Sequence, residues 1–448
     1  MRRTKEIAME VKIVELQKQM NNCQEEKKIL ATLIETQNNL VRHVNETLTN
    51  QTKLLEQEKN QTEQLIHNIS RENNNRKNLT SNVTVIERDF FNYMAVSLQK
   101  TPYPGVDNYT RYAVARLGLL SLTGIEPLKP EYGPVINNVT SLRYPIAVPA
   151  CQQTSANRTI NQKQQSVFFA VISATGNFDK RNGIRQTWRT HLSNASYHNS
   201  SMVVAGFAFI LGLTGSNETQ IKIEEENKTH GDLIQIEMAD FYRNLSLKVA
   251  GLFNWLYRHC HQRFDFLFKV DDDVYVNIRN LAQFVRFHNR SIQSIYGTSA
   301  GNLFPARDGK WDMSVEEWPW NDYPRYFYGN GVLFPGETIL PFLAAFQTTP
   351  FHPIDDLYFS GICTEKAGVK IRWSTYRTSV FAYGLHAIPH PCDVRLTISW
   401  LTESGTHMNN SHLATEDFYH NRTQCVVAGS NGTNTTVDHN EPVHFYFE

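Results

Sequence analysis

The first 89 residues contain no glycine, no proline and no aromatic side chain, so all 25 Phe, 19 Tyr and 7 Trp lie at Phe90 or beyond. A segment without large rings cannot enclose a packed core, and the lack of both helix breakers favours one long helix. A heptad runs through it at Met20, Cys23, Lys27, Leu30, Ile34, Gln37, Val41, Val44, Leu48, Gln51, Leu55, Glu58, Thr62, Leu65 and Ile69. Its 3-4 spacing predicts a helical stem over 1–89, a coiled coil able to pair two copies of the chain. Polar residues at several seam positions leave a solvated helix or linker as the alternative. Residues 90–165 are broken by Pro102, Pro104, Pro127, Pro130, Pro134, Pro145 and Pro149 and read as a linker without a long helix.

From Ser166 onward the texture changes to that of an α/β domain spanning 166–448. Val167–Ile172 and Ala208–Gly212 are short apolar runs, Asp232–Ile236 alternates, and Phe264–Val270 is again strand-like. Between the last two, Val249, Leu252, Phe253 and Leu256 repeat at helical spacing. Strands alternating with helices predict a mostly parallel sheet covered on both faces.

With 44 basic and 44 acidic side chains the chain is formally neutral, which excludes a basic nucleic-acid binder. The longest apolar run, Met202–Leu213, is too short to span a bilayer and reads as a buried strand. Nineteen Asn-X-Ser/Thr acceptors occur, six of them between Asn45 and Asn82, against roughly five or six expected by chance for this modification signal. Six cysteines are an even number that allows disulfides without fixing their pairing. Together these predict a heavily N-glycosylated, lumenal protein whose membrane anchor is not in this sequence.

The sharpest local feature is Phe268-Lys-Val-Asp-Asp-Asp-Val-Tyr-Val-Asn277, an apolar strand ending in three consecutive carboxylates. Adjacent carboxylates repel and raise one another's pKa unless a cation neutralises them. In an α/β sheet, ligands bind beyond the carboxyl ends of strands. If the segment stays extended, Asp271 and Asp273 share one side and Asp272 takes the other. A hard cation, Mn²⁺ or Mg²⁺, that also holds a diphosphate suits such oxygens; a solvated acidic turn is the alternative.

Further segments surround this one. Thr175-Gly-Asn-Phe-Asp-Lys-Arg-Asn-Gly-Ile-Arg-Gln-Thr-Trp188 puts Arg181 and Arg185 on one face of a helix. Gly231–Gln235 leads to Asp240–Lys248; Tyr323-Pro-Arg-Tyr326 precedes Gly329-Asn-Gly331; and Ile354-Asp-Asp-Leu-Tyr-Phe-Ser-Gly361 carries a second acidic pair. In this order, over about residues 166–370, the set resembles the β-1,3-galactosyltransferase and β-1,3-N-acetylglucosaminyltransferase family of inverting, metal-dependent Golgi enzymes with a type II membrane topology.

That resemblance implies a Rossmann-like, nucleotide-sugar-binding (GT-A type) catalytic domain. It implies UDP-galactose or UDP-N-acetylglucosamine as donor, a glycan on a glycoprotein or glycolipid as acceptor, and a β-1,3 linkage as product. Asp273, supported by Asp271, would hold the metal. Arg181, Arg185, Lys269 and Asp272 would meet the nucleotide sugar, although the two arginines could equally form ordinary ion pairs. Asp356 would be the catalytic base, its pKa raised by Asp355, although an Asp pair can also cap a helix. Trp320, Tyr323, Gly329, Gly331 and Asp355 would line the acceptor and donor loop, unless the rings are buried and the glycines only form a turn.

One departure stands out. The family carries a metal-binding His about nine residues after a downstream Cys, whereas Leu401 follows Cys392 at that distance, with His386, His390 and His407 out of register. A catalytically silent relative serving as a glycan-binding or scaffold subunit is therefore the competing expectation.

Overall fold

The computed structural model describes residues 88–151, 164–193, 202–288, 293–374, 380–382, 384–428 and 434–438, with Arg42, Glu441, Val443, Phe445 and Phe447. The expected stem, Arg42 and its last two residues aside, lies outside the described residues, and so does Cys23.

Residues 86–448 form one compact unit around a seven-stranded sheet of order β3-β2-β1-β4-β7-β6-β8. β1 (Gln165–Ile172), β2 (Met202–Leu213), β3 (Leu233–Ala239) and β4 (Phe266–Asp271) are parallel to one another. β7 (Phe327–Pro335) runs antiparallel to both β4 and β6 (Ser294–Ser299), and β8 (Lys370–Ser374) pairs parallel with β6. A small second sheet joins β5 (Val274–Val276), β10 (Ser399–Leu401) and β9 (Phe381–Ala382). β11 (Cys425–Ala428) and β12 (Asn434–Val437) make a hairpin. The architecture fits the GT-A type of domain expected from the sequence.

Strand periodicity explains the two covered faces. On β1, Phe168, Ala170 and Ile172 point into one core, while Val167, Phe169 and Val171 point into the other. The first core is closed by helices α5 (Leu245–Cys260) and α7 (Ile339–Thr348), through residues such as Phe253, Leu256, Phe342 and Phe346. The second is closed by α3 (Phe178–Gln186) and α6 (Ile278–Arg286), with Ile184, Leu281 and Phe284. Trp188 is fully buried there and donates Nε1–H to the Val274 carbonyl at 3.0 Å, so it packs and does not face a ligand.

Residues 90–165 differ from the expected linker. α1 (Arg88–Leu98) and α2 (Val106–Leu117) are regular helices, with the prolines falling between and after them. On α2, Val106, Tyr109 and Ala113 bury one stripe against Trp318, Trp320, Tyr323, Leu357 and Ile362. Cys151 is disulfide-bonded to Cys260 at the end of α5, and Cys392 to Cys425; Cys363 is free and buried. The segment 88–151 is thus an integral part of the α/β unit. Two helices remain to be placed, α4 (Asn217–His230) beside β3 and α8 (Gly405–Tyr419) near the C-terminus.

Candidate active site

β1 and β4 lie side by side with Ile172 opposite Asp271. From β1 the sheet grows outward through β2 and β3, and from β4 it grows the other way through β7. That reversal opens a crevice at the carboxyl ends of the two strands, where ligands of open α/β sheets bind. The three aspartates stand there.

They do not alternate as an extended strand would, because the chain turns at Asp272 and Asp273 before β5. Asp272 is buried: its Oδ2 accepts from Ser173 Oγ at 2.7 Å and Asn177 Nδ2 at 2.8 Å, and its Oδ1 from Lys180 Nζ at 3.1 Å. The same ammonium reaches Asp273 Oδ2 at 3.1 Å. The Asp273 carbonyl accepts from both the N–H and the hydroxyl of Thr402, at 2.7 and 2.8 Å, which anchors the turn to the end of β10. Lys180 escaped the reading of the sequence although it adjoins Arg181; only the helix placement of α3, starting beside Asn177, aims it at the acidic turn.

Asp271 belongs to a second group. Lys269, wholly buried, donates to Asp271 Oδ1 at 3.0 Å and lies 3.8 Å from Asp356 Oδ1 and 4.0 Å from Asp355 Oδ2, with its ammonium 4.7 Å from the centre of the Phe359 ring. Burial opposes its charge, but Asp271, Asp356 and Asp355 outweigh that and hold the ammonium protonated well above the usual lysine range. Lys269 was expected to meet the nucleotide sugar; instead its ammonium is enclosed among these carboxylates and joins the aspartate strand to the second acidic pair.

The carboxylates respond in the opposite sense. Burial, and then Asp355 and Asp273, push Asp271 up to about 6 against the pull of Lys269. Burial first and Asp355 next raise Asp356 well above the usual carboxylate range, opposed by Lys269 and by the Gly329 N–H donated to its carboxylate. Asp356 Oδ1 is buried and has no hydrogen-bond partner. The Asp356 side chain as a whole is 22% exposed, and a carboxyl of raised basicity that solvent reaches is suited to accept a proton.

Gly329 and Gly331 on β7 serve close approach, but to protein. A Cβ at Gly329 would stand 2.2 Å from Asp271 Oδ2, and one at Gly331, where φ is +147°, 2.5 Å from Ser399 Oγ. Trp320 and Tyr323 correct another expectation: both are buried among Tyr103, Tyr109, Tyr112 and Trp318 and present no open face. Large rings following a Pro-Trp turn found a core in α2, a partner about 200 residues upstream whose role the sequence did not disclose.

Arg181 and Arg185 correct a third. Arg181 is fully buried and donates to Glu226, Ser173 Oγ and the carbonyls of Ala174 and Thr175. Arg185 is paired with Asp232 at 2.8 Å and Glu226 at 2.7 Å. Their donors are spent on α4 and the start of β3, so the pair anchors the loop after β1 from behind and does not open onto the crevice.

Among the described residues, no three His, Cys, Asp or Glu side chains converge as a metal cage. Asp271 and Asp273 keep 40% and 36% of their side chains open to solvent. Two open carboxylates suit a hard divalent ion that takes its remaining ligands from substrate phosphate and water. The donor set therefore fits an ion held jointly with a diphosphate, not one held by protein alone. Thr402, the residue after Leu401, contacts the Asp273 carbonyl from the end of β10. His390 accepts from the Cys392 N–H at 3.3 Å and His407 from the Glu403 N–H at 3.3 Å.

Comparison with known proteins found sequence relatives of the chain. The galactosyltransferase family model matches residues 179–374. β-1,3-Galactosyltransferase 5 of Gorilla gorilla gorilla is 29% identical over 217 residues, which cover 48% of this chain and 70% of the relative. The human acetylgalactosaminyl-O-glycosyl-glycoprotein β-1,3-N-acetylglucosaminyltransferase is 33% identical over 213 residues, covering 45% of this chain and 53% of that protein. Among solved structures, the apo form of the bifunctional glycosyltransferase WbbM aligns with a TM-score of 0.31 at 8% identity, over 59% of this chain and 52% of its own. The chain thus spans about half the length of that structure, and at this distance the likeness adds nothing to the assignment.

Proposed function

We propose, from the match of residues 179–374 to the galactosyltransferase family model, that the protein is an inverting β-1,3-hexosyltransferase moving galactose or N-acetylglucosamine from a UDP-sugar to a glycan hydroxyl. The observation that carries this reading is the Lys269 cluster, which holds the Asp356 carboxyl beside the carboxyl end of β4. Asp356, ionised, accepts the proton of the attacking hydroxyl while that oxygen bonds to the anomeric carbon. The bond from that carbon to the diphosphate breaks, and UDP departs with the electron pair. Attack from one face and departure from the other inverts the centre.

Charge growing on the diphosphate must be neutralised. Lys180, half exposed beside Asp273, supplies one fixed cation there. Mn²⁺ or Mg²⁺ on Asp273 and Asp271 would supply Lewis-acid charge to the leaving group when bound. Asp272, fully partnered by Ser173, Asn177 and Lys180, keeps the turn in shape.

Nineteen glycosylation signals and the two disulfides support a place in the Golgi lumen. That no imidazole joins Asp273 among the described residues favours a second reading, a silent glycan-binding relative. Release of UDP from UDP-galactose and UDP-N-acetylglucosamine, with Mn²⁺ and a panel of glycan acceptors, decides between them. Turnover that vanishes in Asp273→Ala and Asp356→Asn supports the transferase; glycan binding without turnover in the parent protein supports the silent relative.

A further inference from the structure

The turn Tyr242–Asn244 precedes α5 and faces the loop that begins at Lys310. Trp311 donates Nε1–H to the Tyr242 hydroxyl at 2.6 Å, and Arg243 pairs with Glu317 of the same loop. Ser246, in the first turn of α5, donates to the His352 carbonyl four residues before Asp356, so the turn is fastened to the catalytic segment as well. The Lys310 ammonium lies 4.9 Å from the Tyr242 ring centre and 5.2 Å from that of Trp311. Unlike Trp318 and Trp320, these rings are open: Tyr242 is 45% and Trp311 51% exposed. The Tyr242 hydroxyl also lies within the field of Asp355, Asp356 and Asp271, which, after burial, raise its pKa.

We propose that Tyr242, Trp311 and Lys310 form an acceptor platform, on which one neutral pyranose ring of the glycan rests with its reacting hydroxyl turned toward Asp356. Two linked, open rings give an apolar wall for the C–H face of a sugar, and the ammonium lying over them donates to its hydroxyls. This deepens the transferase reading and rests on it for the identity of the occupant. In the transferase reading the donor's diphosphate is met by Lys180 and Asp273, so the two substrates are recognised by different residues.

The test compares the parent protein with Trp311→Ala, Trp311→Phe and Tyr242→Ala. Methyl β-galactoside and methyl N-acetyl-β-glucosaminide serve as acceptors, and UDP affinity is measured by calorimetry. The platform requires the acceptor KM of Trp311→Ala and Tyr242→Ala to rise at least tenfold, with kcat and UDP affinity changed less than threefold and partial recovery in Trp311→Phe. An unchanged acceptor KM overturns it, and so does an equal loss of UDP affinity. Should the parent turn over neither acceptor, the transferase reading is what fails. Saturation-transfer contacts between each glycoside and the UDP-loaded protein then decide the platform: loss in Trp311→Ala supports it, and persistence or absence in the parent overturns it.

Discussion

Asp356 owes its raised basicity first to burial and then to Asp355, against the pull of the Lys269 ammonium, and that balance sets two expectations. Asp356→Asn removes the proton acceptor but leaves Lys269 with Asp271 and Asp355, so transfer should fall by about 10²–10⁴-fold while the protein stays folded. Because the folded pKa of Asp356 is raised, the base is lost on acidification earlier than an ordinary carboxylate would be. The acid limb of kcat/KM should therefore lie above the usual carboxylate range, and a limb near 4 contradicts the arrangement. The stability sign is opposite. Asp271, raised to about 6 when folded, binds its proton more tightly in the folded state, so its contribution is fullest below about 4 and declines as pH rises through about 6. Urea midpoints followed from pH 4 to 7 should show a decline that Asp271→Asn reduces. Lys269→Met leaves the three carboxylates without their cation and should cost about 3–5 kcal/mol in urea unfolding; a loss below about 1 kcal/mol would show that solvent already screens the cluster.

The elements were legible to different degrees. β1, β2, β3 and β4 showed themselves as short apolar or alternating runs because a doubly covered sheet needs both side-chain faces apolar. α5 was visible from Val249, Leu252, Phe253 and Leu256. α1 and α2 were hidden by the prolines around them, although Pro102 and Pro104 precede α2 and Gly118, at φ +61°, ends it. A helix's stripe has meaning only with its partner, and the partner of Val106, Tyr109 and Ala113 lies about 200 residues on, in the loop of Trp318 and Trp320. β7 was quoted only for its glycines. Their role follows from the sheet: β7 lies against β4, so Gly329 admits the Asp271 carboxylate where any side chain would collide. Gly329→Ala should displace that carboxylate and lower kcat/KM at least tenfold with a small change in melting temperature. Unaltered kinetics would mean that Asp271 has no fixed post in the reaction.

At the scale of the whole molecule, the sequence disclosed where chemistry gathers better than how it is wired. The aspartate run and the Asp355–Asp356 pair were both singled out, and the fold brings them to one ammonium across some 85 residues of chain. Arg181 and Arg185 were placed on the correct helix, yet their partners, Glu226 and Asp232, come from another part of the sheet edge. No local spacing reveals that an ion pair is already satisfied. Lys180 and the Tyr242–Trp311 pair were missed for the same reason, since their meaning depends on which elements adjoin.

The central claim is that one carboxylate deprotonates a glycan hydroxyl opposite a departing UDP. Proton NMR of the disaccharide formed from an α-linked UDP-sugar, with parent protein and Asp356→Asn side by side, tests it most directly. A β-linked, 3-substituted product is expected from the parent, with about a hundredth of it or less from Asp356→Asn over the same time. An α-linked product, or undiminished product from Asp356→Asn, would contradict it.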